Sequence, residues 1–148
     1  MLEIKKINAE NFRNFGRVIE YPKKDLVKKQ KNLFRKVLIE SKKVGWRIAY
    51  LVVRDRVIDR LERHRGTFES FEPVRGKSLI YLASSKSKQA IHCFYLDRPV
   101  ILKKGTWHGV VALGREAEIK ITENARVKSQ YWRLGFRLNS AAKIHQEN

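Results

Sequence analysis

In the stretch LERHRGTFESFEPVRG, residues 61 to 76, an imidazole and a carboxyl stand five positions apart as His64 and Glu69. Such a pair can do two kinds of work. A histidine titrates near neutral pH and can carry protons, and imidazole nitrogen with carboxylate oxygen can bind a divalent metal ion. A second histidine, His108, follows in KKGTWHGVVAL, residues 103 to 113, after Lys103, Lys104 and Trp107. Both histidines fall at the ends of β-rich runs, so whether they meet depends on how those runs fold together.

The elements that must position them read as strands. KVLIES, WRIAYLVV, RVIDRLER, SLIYLAS, AIHCFYL, PVILKK, GVVALG and EIKITE are rich in β-branched and aromatic residues. Each is bounded by Gly, Pro, Asp, Ser or Lys clusters, which predicts short strands joined by turns. Eight such strands predict an antiparallel barrel or sandwich, and barrels often collect inward-facing polar side chains at their mouths. In VIDRLERH, strand alternation sets Val57, Asp59, Leu61 and Arg63 on one face and Ile58, Arg60, Glu62 and His64 on the other. Asn8 is a candidate helix cap, predicting a short helix over 9–15 that stops at Gly16, followed by a strand RVIEY. Residues 23–35 fit no period. SQYWRLGFRLN predicts a further strand, and the tail from Ser140 reads as helical or frayed.

Length and composition predict one domain over residues 1–148, because 43% hydrophobic content suffices for one core. The single cysteine, Cys93, excludes an internal disulfide and a cysteine-based zinc site. MLEIKKINAENF lacks the apolar run of a secretion signal and no long apolar window follows, so a soluble, cytoplasmic protein without a membrane partner is expected. Thirty-three Lys+Arg against fifteen Asp+Glu give a formal charge of +18, which attracts polyanions or small anionic substrates. The aromatics interleaved with arginines in QYWRLGFR suit a nucleic-acid-binding barrel, although no RNA-recognition, zinc-finger or helix-turn-helix signature is present.

LERHRGTFESFEPVRGKSLIYLA and KKGTWHGVVAL resemble the ureidoglycolate lyases of the cupin superfamily, and INAENFRNFGRVIEY resembles that family's opening helix and strand. The resemblance covers about residues 5–123 and leaves 124–148 as a C-terminal extension. It implies a mainly β, cupin-type barrel (a double-stranded β-helix), homodimeric, that splits ureidoglycolate into glyoxylate and urea. That cleavage needs a base for the hydroxyl proton, an acid for the departing urea nitrogen and cations for the carboxylate. The expected proton carriers are His108, Glu69 and His64. Lys103, Arg63 and Arg65 are expected to hold the carboxylate, with Trp107 walling the pocket. His64, Glu69 and His108 also form a possible ligand set for a divalent metal ion. The chain has Glu69 where the family has glutamine, Lys103 where it has histidine, and Gly109 and Val110 where it has histidine and proline. A non-catalytic basic barrel that binds a small acid or nucleic acid is therefore the alternative.

Overall fold

The computed structural model describes residues 1–19, 38, 44–87, 90–142 and 144–146, the last three through their backbone. Within them, Asn8 caps a four-residue helix, α1 (Ala9–Phe12), by accepting from the Glu10 and Asn11 amides. The helix ends sooner than the sequence predicts, because the Phe15 amide turns back to the Phe12 carbonyl and Gly16 already begins a strand. Everything else regular is β: β1 (Ile4–Lys5), β2 (Gly16–Val18), β3 (Trp46–Val53), β4 (Val57–Arg63), β5 (Glu69–Arg75) and β6 (Ser78–Ala83). The order continues with β7 (Ile91–Tyr95), β8 (Val100–Leu102), β9 (Trp107–Ala112), β10 (Ala117–Asn124), β11 (Gln130–Asn139) and β12 (Ile144–Gln146). The expected KVLIES strand and residues 23–35 lie outside the described residues, apart from position 38. The tail forms a strand paired to β11 where helix or fraying was expected.

Two sheets result, one ordered β1-β7-β6-β9-β4-β11-β12 and the other β2-β8-β5-β10-β3. All neighbours are antiparallel except β1 with β7. The chain changes sheet from β4 to β5, from β5 to β6, and at each step from β7 to β11. That repeated crossing is the double-stranded β-helix of a cupin-type barrel, as the family resemblance implies.

Alternation along β6 shows where the core sits. Ile80 and Leu82 enter the cluster between the sheets, with Phe71, Val100, Leu102 and Ile119 facing them. Leu79, Tyr81 and Ala83 enter a second cluster with Leu61, Trp107 and Leu138. All six β6 residues are buried, so this strand anchors both layers. Each fully buried Leu, Ile or Phe there is worth roughly 1.5–3 kcal/mol. Against this frame β5 is unusual, since it contains Pro73. The ladder to β10 shifts register between Glu118 and Ile119, beside the proline, and this bulge absorbs the missing donor. Gly76 then turns with φ +74, where a Cβ would stand 2.4 Å from the Glu116 carbonyl oxygen.

Among the described residues, no helix is long and apolar enough to cross a membrane.

Candidate functional site

Strand pairing assembles the site from both sheets. Glu62 of β4 lies opposite His108 of β9, and His64 follows on the Glu62 side of its strand. From the other sheet, Glu69 opens β5 and faces Glu123 of β10 in register. The loop before β9 ties these parts together, because the Gly105 amide donates to the His64 carbonyl at 2.7 Å. Gly105 has φ +79, a conformation that L side chains rarely adopt.

Both imidazoles present the same edge inward. His108 Nδ1 lies 3.0 Å from the Thr106 carbonyl, and His64 Nδ1 lies 3.3 Å from the Lys128 carbonyl. A carbonyl only accepts, so His108 Nδ1 carries the hydrogen and its Nε2 offers a lone pair, while His64 Nδ1 also lies 3.4 Å from the Ser129 hydroxyl. Glu69 Oε2 sits 3.2 Å from His108 Nε2 and 3.6 Å from His64 Nε2, and Glu62 Oε1 is also 3.6 Å from His64 Nε2. The rings of His64 and His108 are 5.3 Å apart, with Phe71 edge-on to His108 at 5.4 Å.

Burial sets the proton distribution. The Glu69 carboxyl is pushed up to about 9, first by desolvation, then by the charge and hydrogen bond of Glu123 and the charge of Glu62. It therefore keeps its proton at neutral pH. His108 is held down at about 4, mainly by burial, although its bond to Thr106 opposes this. Burial thus disfavours the proton that His108 is expected to exchange near working pH. The imidazole is a neutral lone-pair donor, and Glu69 is the group with a proton to give.

A divalent ion fits this arrangement. Ligand atoms about 2.1 Å from one ion stand roughly 3.0–3.4 Å apart, against 3.2 Å from Glu69 Oε2 to His108 Nε2 and 3.6 Å from His64 Nε2 to Glu62 Oε1 and to Glu69 Oε2. Glu69 Oε2 is buried without a hydrogen-bond partner. Glu62, His64 and His108 place their ligand atoms within 4.8 Å of one another, as do His64, Glu69 and Glu123. The backbone carbonyls that orient both imidazoles are the outer contacts a metal-binding histidine needs.

The cavity beside this cluster has about 360 Å³ and is walled by Glu62, Glu69, Phe71, His108, Arg54 and Asp55. The structure brings His64, Glu69 and His108 together and sets the other expected residues apart. Arg63 and Trp107 lie on the opposite faces of their strands, with the guanidinium 4.3 Å over the indole ring and Trp132 edge-on to it. Lys103 is exposed and borders a separate depression beside His92. Arg65 lies on a cleft behind His64. Sequence reasoning missed Glu62, Glu123 and Arg54. Of these, only Glu62 carried a signal, because alternation puts it on the His64 face.

No protein-family model matches the chain, and no curated protein matches it. Solved structures do. A dTDP sugar isomerase from Desulfovibrio desulfuricans G20 is 16% identical with a TM-score of 0.49, over 70% of this chain and 73% of that one. The capsular polysaccharide assembling protein CapF of Staphylococcus aureus is 15% identical with a TM-score of 0.48, over 64% of this chain and 30% of that one. An oxalate decarboxylase of Bacillus subtilis, described with Mn(II) centres, is 16% identical with a TM-score of 0.47, over 62% of this chain and 24% of that one. The chain thus spans under a third of the length of the latter two.

Proposed function

We propose that this protein is a cupin-type lyase that cleaves a C–N bond in a small carboxylate, with ureidoglycolate as the substrate. The observation that carries this reading is the buried Glu69 carboxyl 3.2 Å from His108 Nε2, on the wall of a cavity of about 360 Å³, where burial raises the pKa of the acid and lowers that of the imidazole. The resemblance of LERHRGTFESFEPVRG and TWHGVVAL supplies the substrate.

Ureidoglycolate carries a hydroxyl and a urea nitrogen on one carbon, so cleavage moves one proton from oxygen to nitrogen as the C–N bond breaks. Glu69 suits both transfers. Its Oε2 gives a proton to the departing urea nitrogen, and the resulting carboxylate takes the hydroxyl proton as the aldehyde forms. No net proton is gained or lost. Arg54 on the cavity wall, already 3.0 Å from Glu116, is the cation placed to hold the substrate carboxylate. The proton on Glu69 belongs to the ion-free site; an ion held by Glu62, His64 and His108 would supply positive charge toward the developing negative oxygen and favour the Glu69 carboxylate, which would then serve as the base.

The test is glyoxylate release from ureidoglycolate above the spontaneous background, with and without Mn²⁺ or Zn²⁺. The wild-type protein accelerates release, and Glu69→Gln loses about 10²-fold or more. His108→Ala loses the acceleration too. An unaccelerated reaction under every ion overturns the proposal.

A further inference from the structure

His64 has a second side. While its Nε2 edge faces the carboxyls, the ring also borders a cleft of about 390 Å³ lined by Arg65, Thr67, Arg126, Lys128 and Gln130. This cleft and the reaction cavity share no lining residue. Three of its side chains are cations, and among the described residues no carboxylate lines it. Arg65, Arg126 and Lys128 also form no salt bridge among the described residues.

The neutral groups there have limited capacity to accept. Gln130 Oε1 already accepts from Arg63 Nε at 2.8 Å, leaving its amide NH₂ to donate. Thr67 Oγ1 donates to the Phe68 carbonyl and accepts from the Asn124 amide. What remains toward the cleft is three positive charges and an amide donor, which together call for an anion with several oxygens. A carboxylate offers one charge and two oxygens. A phosphate offers more of both, and the guanidinium fork matches it bidentately.

We infer that this cleft binds the phosphate group of a small molecule, at a site separate from the reaction cavity. Of the Glu69 cluster its occupant meets His64 alone, on the ring side away from the carboxyls. It acts on the segment carrying Arg126 and Lys128, whose Lys128 carbonyl holds His64 Nδ1. Occupancy is therefore read at His64. This inference does not depend on the lyase reading, and its test measures no catalysis.

The experiment is calorimetric titration of the full chain with inorganic pyrophosphate at low salt. Two double variants are compared: Arg126→Gln/Lys128→Gln in the cleft and Lys77→Gln/Arg115→Gln on exposed surface elsewhere. All four side chains replaced are exposed, so both variants should keep the wild-type melting temperature. The cleft variant is expected to bind about tenfold more weakly or worse, because two of three cations are gone. The surface variant stays within about twofold, since neither Lys77 nor Arg115 lines the cleft. Pyrophosphate should also shift the His64 imidazole resonances. Equal loss in both variants, no loss in the cleft variant, or an unmoved His64 overturns the inference. A single-stranded oligonucleotide separates the two sources of phosphate. If it binds more tightly than pyrophosphate and both variants weaken it alike, the charge serves a polynucleotide spread over the surface, and the cleft site is wrong.

Discussion

Glu69 and Glu123 stand directly opposite each other in the ladder between β5 and β10, both buried. On the far side of β10, Arg47 of β3 is the cross-strand partner of Glu123. Its guanidinium reaches Glu123 Oε1 from Nε at 2.9 Å and from Nη2 at 2.6 Å. Three strands thus carry a row of arginine, glutamate and glutamate. Two carboxylates facing each other in a ladder repel. The arginine compensates the nearer one, so the proton settles on the farther, Glu69. A neutral acid in the cavity is thereby a product of strand register.

The protonated state has a cost as pH rises. The folded value of Glu69, about 9, lies above its ordinary 4.5, so between these values the folded chain holds a proton that the unfolded chain has released. Its contribution to stability is full below about pH 4.5 and is lost progressively toward pH 9. Glu69→Gln keeps the shape and removes the titration. In metal-free buffer the variant should melt higher than wild type at pH 8, by about 5 °C, and show a flatter pH profile from 5 to 9. Parallel profiles for the two proteins count against the assignment.

Arg47 offers an independent check on the same row. Its side chain is half exposed, with 51% of its surface accessible, so the ion pair is worth less than a fully buried one. Arg47→Ala should cost about 1–2 kcal/mol in urea unfolding, since it leaves Glu123 buried without its cation. The double variant Arg47→Ala/Glu123→Gln should recover most of that loss. If it does not, the arginine stabilises through packing of its stem instead.

How much of this was legible follows from particular residues. WRIAYLVV is β3 from end to end, because eight residues without a breaker and with strong β preference leave little choice. ESFEPVR does not read as a strand, since Glu72 and Pro73 imitate a turn and only the bulge at Val74 in the β5–β10 ladder shows how the proline fits. His64, Glu69 and His108 announced themselves at strand ends, and the barrel brings them together. Glu123 lies in an ordinary alternating strand, and nothing short of the β5–β10 register marks it. Conversely, the alternation that turns Glu62 and His64 inward turns Arg63 away, so the sequence already argued against pairing Arg63 with His64. The proton preferences of Glu69 and His108 depend on burial, which composition does not reveal.

If Glu62, His64 and His108 bind an ion, the ion stabilises the folded state by mass action. At a free concentration 100 times Kd the gain is about 2.7 kcal/mol, a rise in melting temperature of roughly 5–10 °C for a chain of this size. Mn²⁺ or Zn²⁺ should produce this rise in the wild-type protein and EDTA should reverse it. Glu62→Ala and His64→Ala should each abolish most of it. A shift that survives both substitutions places the ion elsewhere.

Gly105 links the backbones that carry the two imidazoles. Its amide holds the His64 carbonyl, and the next residue supplies the carbonyl that fixes His108 Nδ1. At φ +79 an alanine is strained, and its Cβ would stand 3.3 Å from Ser85 Cβ. Gly105→Ala should therefore cost about 1–2 kcal/mol in stability. It should also lower kcat for glyoxylate release more than it changes KM, because the His64 backbone and the Thr106 carbonyl that fixes His108 both shift while Arg54 keeps its place. Gly114→Ala is the matched control, since nothing lies within 4 Å of the Cβ it would add. Equal kinetics for the two variants would mean that the 103–106 loop supports the barrel without setting the geometry of His64 and His108.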